Sequence, residues 1–457
     1  MRLDDLAHAA VAVWGYGHEG RAALAALRQR FPQKPLGLFC SEAETAGVAR
    51  DAGLTVVAGM PTAAALGAYD IVIKSPGISP YKPPYPEAKR LGVRYTSGSA
   101  LWFAEHPHAR TICVTGTKGK STVTALVAHL LRKGGRRVAL AGNIGLPLLE
   151  LLEIGGAAEP DWWVIELSSF QTHDFGGAPS VALINNLYEE HLDWHGTRER
   201  YVADKLAIAA KARHLVVNAQ QPALLARTAT HAQRTGFGDE AGWHVRDDAI
   251  LRGGERVIAL ADLPLPGAHN ALNVCAALAA IEAAGEDARA LAVHAASFKP
   301  LPHRLQSLGE RNGIAFVNDS IATTPYATIE ALRSLAGRRV AVIVGGFDRG
   351  LDWNPFVEFV AKHPPFAIVT TGANGAAIAA KLADIAAPAF ASTEAPALAE
   401  AVSRARAALG GGGTVLLSPG APSFDAFRDY AERGREFARL AGFDPAAIAS
   451  IEGLGIA

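Results

Sequence analysis

A glycine- and lysine-rich turn around residue 118 limits the possible folds more than any other feature. Residues 114–122 read Val-Thr-Gly-Thr-Lys-Gly-Lys-Ser-Thr, between the apolar run Thr111–Val114 and a helical pattern over Thr122–Leu131. Where a parallel strand leads into a helix, glycines let backbone N–H groups curl around phosphate oxygens, and the helix N-terminus adds its positive dipole. The pattern predicts a nucleoside triphosphate site, with Lys120 on the β- and γ-phosphates and Ser121 on Mg²⁺.

The turn departs from the usual phosphate-loop spacing at one position. Val114 stands where the first glycine is expected, and the glycine follows two residues later at Gly116. A glycine-rich turn that binds no ligand is therefore the alternative interpretation. The strand before the turn and the helix after it favour the nucleotide site, because a phosphate loop needs both.

Short runs rich in Val and Ile alternate with Ala-rich helical patterns along the chain, which is typical of βαβ units and parallel sheets. Proline interrupts the pattern at His106-Pro107-His108 and at Phe298–Pro302, and these junctions separate three groups of runs. We predict an α/β protein of three domains: a Rossmann-like domain over residues 1–105, a central P-loop domain with a parallel sheet over 106–299, and a Rossmann-like α/β domain over 300–457. The candidate strands are residues 10–14, 36–39, 70–74, 93–96, 110–115, 138–141, 162–167, 181–185, 214–218, 313–318, 338–344, 366–371 and 414–417.

Composition argues against several classes of protein. Lys and Arg number 44, as do Asp and Glu, and this balance argues against a binder of nucleic acid or of an anionic membrane. Cys40, Cys113 and Cys275 lie far apart, which disfavours both a disulfide framework and a cysteine zinc site. Without a signal-peptide pattern or an apolar stretch of about 18 residues, we expect a soluble cytoplasmic protein, and nothing in the sequence requires more than a monomer.

Polar side chains that follow neighbouring strands are candidates for binding the cation that a triphosphate needs. Glu166 ends an apolar run and would lie at the carboxyl edge of a parallel sheet, with a helix-capping acid as the alternative. His191 and His195 are spaced i, i+4, but Leu192 stands where a zinc protease needs its general base, which argues against that class. We interpret His191 as a Mg²⁺ or substrate ligand, with a surface-loop histidine as the alternative.

Other polar positions are less distinctive. The helical pattern over 201–211 predicts that Lys205 is a solvated helix lysine. Three candidate strands of the third group end in polar or glycine-rich segments, which together indicate a second ligand-facing edge, although each alone would pass as an ordinary loop. These segments are Asn318-Asp319-Ser320, Gly345–Gly350 and Ser418–Ser423.

The N-terminal segment Gly15-Tyr16-Gly17-His18-Glu19-Gly20 matches the GxGxxG pattern between a strand and a helix. A complete dinucleotide site would place an acid at the end of the second strand, but Leu38-Phe39-Cys40-Ser41 supplies none. The separate phosphate loop also begins soon afterwards. A nucleoside diphosphate held at this turn therefore fits better than NAD, and a purely structural turn is the alternative.

In this order, the motifs resemble those of the Mur ligases, the ATP-dependent amino-acid ligases of peptidoglycan synthesis. The resemblance runs over nearly the whole chain and is strongest for the branch that adds glutamate to UDP-N-acetylmuramoyl-L-alanine. Its carriers are Gly116–Thr122, Gly142-Asn143-Ile144-Gly145, Glu166–Gln171, His191, Lys205, His269-Asn270 with Asn273, Leu301-Pro302-His303-Arg304, Asn318-Asp319-Ser320 and Leu417-Ser418-Pro419.

The resemblance implies roles for the matching positions. The implied ATP-binding residues are Gly116, Thr117, Lys118, Gly119, Lys120, Ser121, Thr122, Asn270, Asn273, Arg304 and Asp319. The implied Mg²⁺ ligands are Ser121 and Glu166 for one ion and His191 with a carbamylated Lys205 for the second; the implied catalytic set is Lys120, Glu166, His191 and Lys205. The implied UDP-sugar contacts are Gly15, Tyr16, Gly17, Ser75, Gly77, Asn143, Ser168 and Gln171, and the implied glutamate contacts are Thr323, Arg349, Ser423 and Tyr430.

Several positions depart from the family pattern. Lys118 and Tyr188 replace a usual Asn and a usual Thr, whereas near the acceptor site Ile321 replaces a usual Lys, Pro325 stiffens the loop and Phe424 replaces a smaller aliphatic residue. The changes near the acceptor site imply altered recognition of the amino acid. A divergent branch of the family adds L-glutamate, and this sequence resembles that branch more.

We therefore expect ATP-dependent ligation of glutamate to UDP-N-acetylmuramoyl-L-alanine through an acyl phosphate, with L-glutamate favoured. The same reaction with D-glutamate is the first alternative. A folate-type polyglutamate ligase and a non-catalytic ATP-binding module are the others. The expected partners are these small molecules, with no nucleic acid and no membrane.

Overall fold

The computed structural model describes residues 1–456 except 46, 50, 154–158, 189, 266, 349, 386–388, 449–450 and 452. The chain divides into two units, one of residues 1–298 with 453–457 and one of residues 299–452. Both units are mixed α/β with largely parallel sheets, which confirms the predicted fold class. The boundary expected near residue 105 lies inside the first unit and stays a prediction.

The N-terminal part of the first unit contains a five-stranded sheet. Its elements are β1 (Val11–Trp14), α1 (His18–Arg30), β2 (Leu36–Cys40), α2 (Glu42–Thr45), β3 (Leu54–Ala58), α3 (Ala63–Leu66), β4 (Ile71–Lys74), α4 (Tyr85–Arg90), β5 (Arg94–Thr96) and α5 (Gly98–Glu105). The strands are all parallel, in the order β3-β2-β1-β4-β5. Strands β1, β2 and β4 are buried throughout, as parallel strands covered on both faces are.

The central part of the first unit contains a seven-stranded sheet. Its elements are β6 (Thr111–Thr115), α6 (Lys120–Lys133), β7 (Val138–Gly142), β8 (Trp162–Glu166), α7 (Ser169–His173), β9 (Val181–Ile184), α8 (Leu192–His195), α9 (Arg198–Leu206), β10 (His214–Asn218), α10 (Pro222–Arg227), β11 (Arg234–Phe237) and β21 (Gly455–Ile456). The strand order is β11-β10-β9-β6-β8-β7-β21. After β6 the chain forms β7 and β8 on one side of β6, and it then crosses to form β9 and β10 on the other side. The carboxyl end of β6 is therefore a switch point, where open parallel sheets bind ligands.

A small antiparallel sheet and two helices complete the first unit. They are β12 (Trp243–Arg246), β13 (Ala249–Arg252), β14 (Glu255–Ala259), α11 (Ala268–Ala283) and α12 (Ala288–Ala292). The indole N–H of Trp243 donates to Glu282 Oε2 at 2.6 Å, which attaches the small sheet to α11. Within the described part of the chain, no helix is both long and apolar enough to cross a membrane.

The second unit contains a six-stranded sheet. Its elements are β15 (Gln306–Arg311), β16 (Ile314–Asn318), α13 (Pro325–Ser334), β17 (Val340–Val344), α14 (Asn354–Lys362), β18 (Ala367–Thr370), α15 (Gly375–Ala383), β19 (Ala391–Glu394), α16 (Leu398–Leu409), β20 (Gly413–Leu417) and α17 (Tyr430–Ala441). The order is β15-β16-β20-β17-β18-β19, with only β15 antiparallel to its neighbour. Separate apolar clusters pack on its two faces.

The last residues of the chain return to the central sheet. The sequence predicts a C-terminal domain that runs to residue 457, but residues 453–457 belong to the first unit. Strand β21 pairs antiparallel with the free edge of β7, and the Arg132 guanidinium donates to the carbonyls of Val138, Gly453 and Gly455. The unpaired backbone groups of an edge strand attract such a partner, and no local pattern in the sequence reveals it.

We predict that removal of residues 453–457 destabilises the first unit by about 1–3 kcal/mol, because the edge of β7 becomes unpaired and Arg132 loses two carbonyl acceptors. Urea unfolding of the full-length and shortened chains measures the difference. Lys133→Ala serves as the control, because Lys133 is an exposed residue next to Arg132 on α6. An unchanged unfolding midpoint in the shortened chain would contradict the prediction.

Candidate active site

The phosphate loop joins β6 to α6 at the switch point of the central sheet. Gly119 has φ +76°, and a Cβ there would lie 2.5 Å from Asn273 Oδ1 and 2.6 Å from Asn185 Nδ2. Any other residue would meet both backbone strain and a clash at this point. Helix α6 begins at Lys120, two residues earlier than the sequence pattern suggests, so the N-terminus of the helix directly follows the loop.

A pair of asparagines after β9 holds the loop backbone in place. Asn186 Oδ1 accepts the N–H groups of Thr117 at 3.0 Å and Lys118 at 2.7 Å, and Asn186 Nδ2 donates to the Lys118 carbonyl at 3.0 Å. Asn185 Nδ2 donates to the same carbonyl at 3.0 Å and to Asn273 Oδ1 at 2.9 Å. The loop is therefore fixed from outside, by side chains that the sequence reasoning did not single out.

Two lysines bring positive charge to the loop. Lys118 Nζ lies 2.9 Å from Glu190 Oε1, and Lys120 Nζ donates to the Thr117 carbonyl at 3.0 Å. Although burial opposes it, the charges of Lys118 and His191 hold the pKa of Glu190 below its ordinary value. A cationic loop at a helix N-terminus is suited to a polyphosphate.

Glu166 ends β8 beside the loop with only 1% of its surface exposed. Its Oε1 accepts a hydrogen bond from Asn143 Nδ2 at 2.7 Å, whereas its Oε2 is buried and has no hydrogen-bond partner within the described part of the chain. A buried carboxylate oxygen without a partner is costly. Carboxylate oxygens are ligands that Mg²⁺ prefers, so the donor atom fits a bound cation.

Lys205 is buried, with 2% of its surface exposed, and the prediction of a solvated helix lysine is wrong. Helix α9 turns this side chain toward the phosphate loop, where Lys205 Nζ donates to the Gly116 carbonyl at 2.9 Å. Burial, with the nearby charge of Lys120, lowers the pKa of Lys205 well below its ordinary value. The uncharged form of the amine is therefore favoured more than in an exposed lysine.

The two histidines of the i, i+4 pair have different surroundings. The His191 side chain is 42% exposed, its backbone has φ +59°, and its Nε2 lies 3.7 Å from Glu190 Oε2. His195 is fully buried, and its Nδ1 lies 2.6 Å from Asp204 Oδ2. Among the residues that the structure describes, no three His, Cys, Asp or Glu side chains are grouped so as to hold a metal ion by themselves. A cation here would also need other oxygen donors, such as a hydroxyl or phosphate.

The GxGxxG turn packs against the loop that follows β4. Gly15 has φ +94°, and a Cβ there would lie 2.6 Å from Ser75 Oγ. Ser75 Oγ donates to the Gly15 carbonyl at 3.2 Å, and the Gly77 carbonyl accepts the Trp194 indole N–H at 3.0 Å. Tyr16 is buried beside this turn. The structure therefore brings four of the predicted UDP-sugar positions together.

Helix α7 connects this turn to the central sheet. Ser168 and Gln171 form a capping box on α7, in which Gln171 Oε1 accepts the Ser168 N–H at 3.0 Å. The Gln171 amide also donates to Glu19 Oε1, in the first turn of α1, at 2.9 Å. Burial raises the pKa of Glu19 above its ordinary value. Both predicted positions thus have a structural task, and they lie next to the GxGxxG turn.

In the second unit, predicted residues gather at the carboxyl ends of β16 and β20. Asp319 follows β16 and accepts the Leu305 N–H at 3.1 Å and the Ser418 hydroxyl at 2.8 Å. Burial raises the pKa of Asp319 to about 6. Arg304 precedes β15, Thr323 follows β16, and Ser423 and Tyr430 follow β20. Arg349 lies outside the described residues.

The buried Arg433 ties two of these segments together. Its guanidinium donates to the Ser320 carbonyl at 2.8 Å and to the Ala421 and Pro422 carbonyls at 3.0 Å. Burial among neutral acceptors lowers the pKa of Arg433 to about 10. The Ser320 hydroxyl donates in turn to the Tyr430 carbonyl at 2.7 Å. The carboxyl edge of this sheet is therefore a fixed surface.

Comparison with known proteins identifies the family. A model described as the Mur ligase middle domain matches residues 114–281, and one described as the Mur ligase, glutamate ligase domain matches residues 303–421. A relative from Xanthomonas euvesicatoria pv. vesicatoria, named UDP-N-acetylmuramoyl-L-alanine–L-glutamate ligase, is 53% identical over 470 residues and is matched over 100% of both chains. The chain belongs to the Mur ligase family. A relative of the same name from Micromonospora is 40% identical over 96% of this chain and 97% of its own.

Solved structures share the fold of this Mur ligase. The UDP-N-acetylmuramate-alanine ligase of Thermotoga maritima aligns with a TM-score of 0.59 at 21% identity, covering 94% of this chain and 99% of its own. A MurF ligase from the same organism, solved in complex with ADP, aligns with a TM-score of 0.56 at 17% identity, covering 96% and 95%. The resemblance stated from the motifs is confirmed at the level of family and fold.

Two of the positions interpreted above as departures from the family pattern are Tyr188, beside the phosphate loop, and Phe424, which follows β20 in the second unit. The Tyr188 N–H donates to Thr117 Oγ1 at 2.9 Å, and the Tyr188 side chain is exposed. In the second unit, Phe424 is exposed and its ring centroid lies 6.3 Å from that of Phe347. Phe347 and Phe424 together add apolar surface beside Ser423.

The sequence analysis missed a buried polar network in this Mur ligase. The Asp204 carboxylate accepts hydrogen bonds from His173 Nδ1 at 2.7 Å, His195 Nδ1 at 2.6 Å and Tyr81 OH at 2.8 Å. Burial opposes ionisation, but these hydrogen bonds lower the pKa of Asp204 to about 2. Its members are scattered over more than a hundred residues, so no local pattern marks them. The Asn185-Asn186 pair, in contrast, follows a strand directly and offered a readable signal.

We predict that Asn186→Ala weakens nucleotide binding by roughly 10-fold, because the variant removes the side-chain acceptor of the Lys118 N–H and leaves the Thr117 N–H only the Asn186 backbone carbonyl. Calorimetric titration with Mg-ADP and the KM for ATP both measure this. Gln220→Ala, which removes an exposed side chain at the end of the next strand, β10, is the matched control. Equal affinity in Asn186→Ala and the parent protein would contradict the assigned support.

Proposed function

We propose that this Mur ligase joins L-glutamate to UDP-N-acetylmuramoyl-L-alanine, with conversion of ATP to ADP and phosphate, in the synthesis of peptidoglycan precursors. The observation that carries the proposal is the 53% identity over the whole chain to a relative named for that reaction. The phosphate loop at the switch point supplies the nucleotide site that such a ligase requires.

The chemistry follows from the weakness of a carboxylate as an electrophile. The alanyl carboxylate of the UDP-sugar attacks the γ-phosphorus of ATP, the bond to the bridging oxygen breaks, and ADP leaves. The resulting acyl phosphate is attacked by the amine of glutamate, an amide bond forms, and phosphate leaves with loss of one amine proton. Both steps concentrate negative charge on phosphate oxygens, so fixed positive charge and oriented N–H donors accelerate them.

We assign the residues of the phosphate loop to binding the negatively charged phosphate groups of ATP. Lys120 and the N–H groups at the start of α6 would face the β- and γ-phosphates, with Lys118 close by. The proposed ATP-binding residues are Gly116, Thr117, Lys118, Gly119, Lys120, Ser121, Thr122, Asn270 and Asn273 from the first unit, and Arg304 and Asp319 from the second. The positions of Asn270 and Asn273 on α11 support this assignment, because Asn273 accepts a hydrogen bond from Asn185, which also contacts the phosphate loop.

Glu166 and Ser121 are the proposed ligands of one Mg²⁺, and His191 and a carbamylated Lys205 of the other. When bound, the ions would neutralise charge on the transferring phosphoryl group. The buried Glu166 Oε2, which has no hydrogen-bond partner among the described residues, supports the first site. For the second, the lowered pKa of Lys205 supports carbamylation, because the uncharged amine is the form that adds carbon dioxide: an N–C bond forms, one proton leaves, and the side chain becomes an anionic ligand.

The two remaining substrates are the UDP-sugar, assigned to residues of the first unit, and glutamate, assigned to residues of the second. UDP-sugar contacts are proposed for Gly15, Tyr16, Gly17, Ser75, Gly77, Asn143, Ser168 and Gln171. Glutamate contacts are proposed for Thr323, Arg349, Ser423 and Tyr430. The hydrogen bond from Asn143 to Glu166 supports the first group, because it joins a sugar-binding position to a metal-binding one.

The decisive test is phosphate release from ATP with Mg²⁺, UDP-N-acetylmuramoyl-L-alanine and either enantiomer of glutamate. We expect release with L-glutamate and at least roughly 10-fold less with D-glutamate, about 1.4 kcal/mol of discrimination. Preference for D-glutamate would support the first alternative reaction. Stimulation by a folate in place of the UDP-sugar would indicate a polyglutamate ligase, and no release under any condition would indicate an ATP-binding module.

We expect Lys205→Ala to lower kcat by at least roughly 100-fold, because it removes the proposed anionic ligand from a buried site. Acetate or another small carboxylate should restore part of the activity by occupying the space of the lost carbamate. Lys211→Ala, an exposed lysine just beyond the same helix, is the control. Full activity of Lys205→Ala without added carboxylate would refute the carbamate assignment.

A further inference from the structure

The side chains proposed to hold the metal ions come from three separate segments of the first unit. Glu166 ends β8, His191 precedes α8, and Lys205 lies near the end of α9. Metal ligation tolerates errors of only a few tenths of an ångström. Something in the fold must therefore fix the distances between these segments.

A buried network joins the same three segments at a second point. Asp204, next to Lys205, lies with its Oδ2 2.6 Å from His195 Nδ1. His195 Nε2 lies 3.0 Å from the hydroxyl of Ser169, the first residue of α7 and three residues after Glu166. His195 is itself four residues after His191. All three network members are buried.

The same carboxylate also reaches the loop after β4, where the UDP-sugar is proposed to bind. The Tyr81 hydroxyl donates to both oxygens of Asp204, at 2.8 and 3.0 Å. Two residues earlier, the Ser79 hydroxyl donates to the Trp194 carbonyl at 2.6 Å. His173, at the end of α7, supplies a further donor to Asp204 at 2.7 Å. One carboxylate thus accepts hydrogen bonds from three different segments.

The arrangement of Ser169, His195 and Asp204 has the connectivity of a nucleophilic triad, but it is not placed to act as one. The Ser169 side chain is 2% exposed, and the chain buries His195 completely. A nucleophile must reach its substrate, and this hydroxyl faces the interior. The network is suited to holding segments in place.

We propose that Asp204 is a positioning residue that sets the distances between the segments of Glu166, His191 and Lys205 and couples them to the UDP-sugar loop through Tyr81. This inference rests on the proposed function, because it assigns a task to the same site. Asp204 itself contacts neither substrate nor metal: its effect passes through the backbone of α9 and through His195. The geometry calls for a carboxylate because both of its oxygens accept hydrogen bonds here, whereas an amide has only one accepting oxygen.

The first test is Asp204→Asn in the full chain. The amide keeps the volume but cannot accept hydrogen bonds through its nitrogen, so at least one segment is released. We expect kcat to fall by roughly 10- to 100-fold and the half-saturating Mg²⁺ concentration to rise, as for losses of outer hydrogen bonds in metal sites. In ¹³C-bicarbonate solution, the ¹³C carbamate resonance of Lys205 should weaken or vanish. Asp248→Asn, which changes an exposed carboxylate, is the control.

The second test is Tyr81→Phe, alone and combined with Asp204→Asn. The single variant should raise the KM for the UDP-sugar and lower kcat less than Asp204→Asn does. The double variant should lose little beyond Asp204→Asn, because both changes break one network. Tyr95→Phe is the matched control, since the Tyr95 hydroxyl, on the next strand β5, is buried without a hydrogen-bond partner within the described part of the chain. If Asp204→Asn fails to fold, Tyr81→Phe alone decides the question.

A purely structural role gives a different outcome. Asp204→Asn and Tyr81→Phe would then lower the melting temperature but leave kcat, the Mg²⁺ dependence and the carbamate resonance unchanged, and the inference would be overturned. Failure of the proposed function is distinguishable from this result, because it appears in the parent protein as absent phosphate release or an absent carbamate resonance.

Discussion

The structure of the site depends on the backbone turn between β6 and α6, which side chains from neighbouring segments hold in place. The phosphate loop leads into α6, and the Asn185-Asn186 pair after β9 holds the loop at Thr117 and Lys118. The loop can keep this shape only at the switch point of a parallel sheet, because there two neighbouring strands end on either side of it. The adjacent side chains Glu166 and Lys205 are placed by the same sheet edge.

Buried ionisable groups surround this loop, and their states are set by what they contact. The pKa of Lys205 is lowered because burial removes water and Lys120 adds a like charge. Asp204, one residue earlier, stays ionised because three hydrogen-bond donors meet its carboxylate. Burial thus favours the uncharged form of Lys205, whereas hydrogen bonds favour the charged form of its neighbour Asp204, since successive residues of a helix face different surroundings. Asp204 therefore joins α9 to α7 and to the loop after β4.

Strand prediction succeeded where burial made the pattern strong. Each candidate strand of the sequence analysis appears in a sheet, because interior parallel strands read as continuous apolar runs. The missed strands are edge strands or belong to the small antiparallel sheet. β19, with the sequence Ala-Ser-Thr-Glu, is mostly exposed and carries no apolar run. β21 is only two residues long and pairs because β7 has a free edge, which is a property of the sheet.

The sequence by itself determined the α/β class, the phosphate loop, the GxGxxG turn and, through its ordered motifs, membership of the Mur ligase family. These features are local: each needs only a few adjacent residues whose spacing follows from strand, turn and helix geometry. Tertiary structure alone decided that Lys205 is buried, that Asn143 contacts Glu166, and that Asp204 joins Tyr81, His173 and His195. The reason is that burial and charge state depend on which segments pack together, and that information is distributed over the whole chain.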